Sequence, residues 1–224
     1  MDIVNRCLDL HEFEDYIRDY NFGTEPANKL VIHHTWRPTK SEWQGQTSIN
    51  GLRAYYENKG WSAGPHLFIA ENGIWLFSPM RQDGIHASSL NHRSIGIEVV
   101  GDYDEEKWEG KTKYNALGVI KALMYRLSLQ ESDIQFHRDV SPKSCPGWAI
   151  SKQWIFDELK SFQKKPRIPI PEPAEGEVLI PIWATDAVSF VLKHRLFEIR
   201  SQEDIRDAVK FYRFYQVIKN EPQQ

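Results

Sequence analysis

The chain has 224 residues, 41% of them apolar, and 28 basic against 31 acidic side chains give a net charge of −3. That length supplies a core for one domain of about 150 residues plus a smaller appendage. The balanced charge, with no Lys/Arg-rich run, excludes nucleic acid as the main ligand, since that binding rests on neutralised phosphates.

Taken in chain order, residues 9–20 predict a short amphipathic helix with Phe13, Ile17 and Tyr20 on one side. Leu30 to Thr35 reads as a buried strand. Ser48 opens a helical stretch carrying Ile49, Leu52, Tyr55 and Tyr56, which stops at Gly60. A hairpin follows: Pro65–Ala70, a turn at Asn72-Gly73, then Ile74–Phe77. Ser94–Gly101 is another strand, rich in Ile and Val. Residues 112–129 form a helix with Leu117, Ile120, Leu123 and Leu127 along one face. A short strand at Ile134–His137, a loop punctuated by Pro142 and Pro146, and a helix from Ala149 to Phe162 complete an α/β domain at residues 1–163. Residues 164–181 hold Pro166, Pro169, Pro171, Pro173 and Pro181, a density that favours an extended, semi-rigid linker. Two helices, Asp186–Leu196 and Glu203–Lys219, make a small module over 182–224.

Two cysteines, Cys7 and Cys145, could pair but form no disulfide framework. The N-terminal residues lack the basic-then-apolar layout of a secretory signal. No apolar run approaches the roughly 18 residues that span a bilayer, so no membrane partner is expected. Eight Trp, nine Tyr and eleven Phe suit a carbohydrate or peptide groove, and equally an ordinary aromatic core.

The segment from His137 to Cys145 carries the most chemistry. Imidazole and thiolate are both good zinc ligands, and a catalytic site needs three protein ligands with a fourth position open for water. Pro142 and Pro146 can return Cys145 towards His137, and Lys143 would share its side in extended backbone. Val31-Ile-His-His-Thr35 puts two histidines on a strand, where only one can face a given site. In Ser94-Ile-Gly-Ile-Glu98, alternation turns Ile95, Ile97 and Val99 to one face and Gly96 and Glu98 to the other. Burying an unpaired carboxylate costs several kcal/mol, roughly, and Gly96 leaves room for a close approach. From the residues alone, a hydrogen-bonded core histidine and a solvated edge-strand glutamate remain open alternatives.

Five ordered blocks over residues 28–160 resemble the zinc N-acetylmuramoyl-L-alanine amidases of the peptidoglycan-recognition and phage-lysozyme type. They are Val31-Ile-His-His-Thr, Gly64-Pro-His-Leu-Phe-Ile with Asn72-Gly, Gly84-Ile-His-Ala, Asn91-His-Arg-Ser-Ile-Gly-Ile-Glu, and His137 through Pro146. The resemblance implies a mixed β-sheet flanked by helices, with one zinc ion held by His33, His137 and Cys145. It implies Lys143 as oxyanion stabiliser and hydrolysis of the bond between N-acetylmuramic acid and L-alanine in peptidoglycan or muropeptides. Many members carry a catalytic tyrosine just before the histidine of the hairpin's first strand, and here that position is Pro65. Members without the tyrosine use a glutamate in the Ser-Ile-Gly-Ile-Glu strand, which matches Glu98, although the recycling-type amidases among them end their ligand set with aspartate. Thr35, Trp36, His86 and Asn91 are candidate substrate contacts. His66 is expected to be structural, and Asp139 and Arg138 to be loop charges, with a carboxylate able to orient a ligand histidine.

Trp183-Ala-Thr-Asp-Ala-Val and Ala208-Val-Lys-Phe-Tyr-Arg-Phe-Tyr look like the helical wall-attachment modules that follow some lytic amidases; a plain helical hairpin is the alternative. A phage or prophage lysin released by other means and a cytoplasmic recycling enzyme both fit the missing export signal. The competing reading for the whole chain is a peptidoglycan-binding module without catalysis.

Overall fold

The structure, a computed structural model, describes residues 1–165, 180, 184–196, 198–201, 203–209 and 211–212. The chain divides into two compact units, 1–165 and 166–224. The larger is built on a six-stranded mixed sheet, β1 (Arg6–Leu8), β2 (Lys29–His34), β3 (Leu67–Ala70), β4 (Gly73–Leu76), β5 (Ser94–Val99) and β6 (Ile134–Phe136), in spatial order β1-β4-β3-β5-β2-β6. The first two pairings, β1 with β4 and β4 with β3, are antiparallel; β3–β5, β5–β2 and β2–β6 are parallel. The parallel strands β2 and β5 are buried along most of their length, as strands covered on both faces are.

Four helices belong to this unit: α1 (Leu10–Arg18), α2 (Gln46–Asn58), α3 (Gly110–Leu127) and α4 (Lys152–Ser161). In α1 the Asp9 side chain accepts from the Glu12 amide at 2.8 Å, and Glu12 returns the bond to the Asp9 amide at 2.9 Å. That reciprocal cap fixes the start of the helix and aims Leu10, Phe13 and Ile17 inward. Leu10 packs so tightly on α3 that a Cβ at Gly118 would fall 2.4 Å from its Cδ2. α3 in turn meets the sheet, where the Asn115 carboxamide donates to the Ala70 carbonyl at 2.9 Å. α2 covers the opposite face through Tyr56, whose ring meets Phe77 at 5.9 Å.

Several boundaries differ from the sequence reading. α1 ends at Arg18, so Tyr20 lies beyond it. α2 begins at Gln46 after Gly45, and the Ser48 hydroxyl accepts from the Gln44 amide instead of heading the helix. The hairpin turn is Glu71-Asn72, because Ala70 pairs directly with Gly73. Gly73 is needed there as a close-approach residue: at φ +147, a Cβ would sit 2.5 Å from Cys7 Sγ on the neighbouring strand. α4 starts at Lys152 with Ser151 as its N-cap, three residues later than the pattern suggested. β1 was not foreseen, because three residues give too little alternation to register. Cys7 and Cys145 are both free thiols.

In the second unit, α5 (Thr185–Lys193) and the helical residues 203–209 enclose a small core of Ala184, Val188, Val191, Ile205 and Ala208. The Pro-rich stretch expected at 164–181 lies outside the described residues except for 164, 165 and 180, as does the part of the predicted helix beyond 212. Among the described residues, no helix is long and apolar enough to cross a membrane. Asp9→Ala removes the side-chain acceptor of the Glu12 amide, leaving the Asp9 backbone amide to Glu12, and is expected to lower stability by about 1 kcal/mol, read from urea unfolding of the full chain.

Candidate metal centre

Parallel pairing of β2 with β5 sets His33 opposite Glu98, and the parallel neighbour β3 sets Phe68 opposite Glu98 from the other side. Side chains at paired positions share a face, so these three residues floor one cleft on the α2 side of the sheet, and Gly96 lies on the same face beneath the His86 ring. β5 lies between β3 and β2, which removes the edge-strand reading of Glu98. His34, one residue on, faces the other way; its Nδ1 accepts from the Tyr103 amide at 3.2 Å.

The remaining donors arrive on the loop after β6. His137 opens a short 3-10 turn at the end of that strand. Its Nδ1 lies 3.2 Å from His33 Nδ1, and Cys145 Sγ lies 3.6 Å from the same His33 atom. One donor atom from each of the three residues falls within 4.8 Å of the others. Glu98 Oε1 stands 3.9 Å from His33 Nδ1. Arg138 holds the loop in this shape: its guanidinium donates to the carbonyls of Ser144 at 3.0 Å, Gly147 at 2.8 Å and also Ile150, and its amide donates to Cys145 O. Asp139 spends its carboxylate on the Phe136 amide and the Lys152 ammonium, so it does not orient the His137 ring.

Burial governs the electrostatics. Burial first, and then the neighbouring rings of His86, His137 and His34 and the Lys143 ammonium, pull His33 well below the ordinary imidazole range. His137 is lowered by burial and then by Lys143. Both rings are therefore neutral, as ligands must be. Burial pushes the Glu98 carboxyl up to about 8, and burial together with the Glu98 charge pushes the Cys145 thiol up. Glu98 Oε2 is buried without a hydrogen-bond partner. Two neutral imidazoles, a thiol and an unpartnered carboxylate around one point fit a cation: it would supply the counter-charge that the thiolate and carboxylate lack. Two imidazoles and a thiolate suit a borderline-soft, tetrahedral metal with one position left open.

The cleft has a volume of about 960 Å³ and takes in His33, Glu98, His137, Cys145, Lys143 and Tyr56. Lys143 is exposed at its rim. Trp36 is 59% exposed along the same cleft and holds a left-handed backbone, φ +55. Thr35 also lines it, but its hydroxyl donates to Pro38 O at 2.7 Å and accepts from the Gly101 amide at 2.9 Å, tying down the loop. His86 is buried behind His33, with its Nδ1 3.0 Å from His33 Nε2. Asn91 uses its Oδ1 to accept from the amides of His86 and Ala87, at 2.9 and 2.6 Å. His66 is a core residue: Nδ1 accepts from the Gly96 amide and Nε2 donates to Gln82 O.

Residues 23–148, more than half of the chain, match the sequence model of the N-acetylmuramoyl-L-alanine amidase family. The chain belongs to that family. The endolysin of Escherichia phage T7 is 26% identical over 141 residues, 60% of this chain and 90% of that one. Peptidoglycan-recognition protein SC2 of Drosophila melanogaster is 28% identical over 144 residues, covering 58% of this chain and 77% of the relative. Among solved structures, an N-acetylmuramoyl-L-alanine amidase from Clostridium intestinale superposes with a TM-score of 0.53 at 25% identity, over 62% of this chain and 89% of that one. The matched segment contains His33, Glu98, His137, Lys143 and Cys145.

Two residues in and around this cleft escaped the sequence reading. Tyr56 looked like one more apolar position on α2. Its ring stacks on Trp61 at 5.5 Å, and its phenol is pushed up by burial and then by the Glu98 charge, which puts it on the cleft wall near the carboxylate. Arg138 looked like a loop charge, and only its carbonyl partners reveal that it clamps the loop carrying His137 and Cys145. Arg138→Met is expected to cost about 2 kcal/mol, because a charged donor leaves several carbonyls behind. It should also make the buried Cys145 thiol react faster with a thiol reagent; unchanged reactivity would contradict the clamp.

Proposed function

We propose that this amidase holds one zinc ion with His33, His137 and Cys145 and hydrolyses the amide between N-acetylmuramic acid and L-alanine in peptidoglycan or its fragments. The observation that carries the proposal is the convergence of two neutral imidazoles, a buried thiol and the orphaned Glu98 carboxylate at one point of an open cleft. The amidase and endolysin relatives support the substrate, and the endolysin relatives favour a lysin that acts on the cell wall.

Zinc in this donor set would act as a Lewis acid that acidifies a water molecule and polarises the amide carbonyl. The protein's own groups do the rest. Glu98, one strand away from His33, takes the proton from the attacking water as the new C–O bond forms. Lys143, at the rim beside Cys145, balances the negative charge that gathers on the carbonyl oxygen. Glu98 then returns its proton to the amine nitrogen as the C–N bond breaks, leaving a lactyl carboxylic acid and a free L-alanine amino group. Pro65 has no acid–base group, so Glu98 carries both proton transfers. A cation held by this donor set would offset the burial that raises Glu98, leaving its carboxylate available as a base.

Mass spectrometry of digested, purified sacculi tests this reading. The zinc-loaded wild type should release stem peptides with free L-alanine amino termini. A chelator should abolish the release, and added zinc should restore it. Glu98→Gln should lose roughly 100- to 10,000-fold in kcat while keeping its zinc, as expected for a general acid–base. Sacculus binding by the zinc-loaded protein with no new amino termini would establish a binding module instead, and cleavage within the stem peptide would establish a different hydrolase.

A further inference from the structure

His33 does not stand alone behind the cleft. Its Nε2 lies 3.0 Å from His86 Nδ1; His86 Nε2 lies 3.2 Å from the Ser94 hydroxyl; and that hydroxyl makes a short bond to the Leu90 carbonyl, with the Asn91 carbonyl at 3.3 Å. The direction of this chain follows from its far end. A carbonyl only accepts, so the single Ser94 proton points to Leu90, and Ser94 Oγ must accept from His86. His86 therefore carries its proton on Nε2 and offers a bare Nδ1. His33 must donate to that Nδ1, which puts its own proton on Nε2 and leaves the lone pair on Nδ1. Nδ1 is the atom that faces His137 Nδ1 and Cys145 Sγ.

The surroundings are built for this chain. His86 and Ser94 are both buried. The ring of His86 lies directly over Gly96, where a Cβ would sit 2.7 Å from its Cγ and Cδ2, so only glycine admits it. Asn91 holds the backbone of His86 in place. Such a relay fixes both the rotation and the tautomer of the His33 ring.

We propose that His86 and Ser94 are positioning residues that lock His33 in the Nε2–H tautomer and so present its Nδ1 to the metal. The proposal rests on the zinc reading above, and its test separates the two. Nitrogen-15 spectra of the imidazoles in the metal-free full chain should show both His33 and His86 protonated at Nε2. Ser94→Ala should leave His33 as a mixture of tautomers. A wild-type His33 protonated at Nδ1, or a His33 unchanged by Ser94→Ala, overturns the relay whatever the metal does. Chelator competition then measures zinc affinity. His86→Leu, which has no acceptor, should weaken it roughly 10- to 100-fold. His86→Asn places an amide oxygen near the Nδ1 position and should recover part of the loss. If His86→Leu binds zinc as tightly as the wild type while His137→Ala does not, the positioning role fails and the metal site stands. If His137→Ala also binds like the wild type, the ligand assignment itself is wrong, and the effect claimed for His86 falls with it.

Discussion

The parallel pairing of β2 with β5 is the constraint on which the site depends. A one-residue slip of either strand would replace His33 by Ile32 or His34, or Glu98 by Ile97 or Val99, because successive side chains face opposite ways. The correct register is enforced on the opposite face, where Ile95, Ile97 and Val99 are fully buried with Leu30 and Ile32. Apolar packing under the sheet thus sets the polar geometry above it. The helices α1 and α3 serve the cleft without touching it, by holding that apolar face against water.

Onto this fixed floor the protein brings one mobile kind of element, a loop, and makes it rigid. The Arg138 guanidinium ties together carbonyls at three places in the 144–150 segment, so Cys145 returns to within 3.6 Å of His33 from far along the chain. Behind the floor, the His86–Ser94 chain carries hydrogen-bond direction from a backbone carbonyl to the His33 ring. Both devices spend polar groups on order, and both leave the groups nearest the cleft, Glu98 and Cys145, short of counter-charge. A cation is what would complete them.

Much of the fold and some of the site could be read in the residues. The pattern Ser94-Ile-Gly-Ile-Glu98 already separates an apolar face from one with a glycine and a carboxylate, and the structure keeps that separation. The two histidines of β2 could be divided by parity, though parity alone did not say which one faced the cleft; the register opposite Glu98 does. Three residues of β1 were too few to show a period, and the hairpin turn moved by one residue because Gly73 is required by Cys7 on the next strand and not by the turn. Tyr56, Arg138 and the His86–Ser94 chain were not legible for a common reason. Their roles come from partners distant in sequence, and helical or strand spacing carries no information about those partners.

The central claim concerns which atoms meet at one point. X-ray absorption at the zinc edge, combined with anomalous scattering from crystals of the zinc-loaded chain, tests it most directly. The account expects a single zinc bonded to His33 Nδ1 and His137 Nδ1 at about 2.0–2.1 Å and to Cys145 Sγ at about 2.3 Å, with one position open to water. A zinc bound through His33 Nε2, a first shell without sulfur, or an ion held elsewhere in the chain would contradict it.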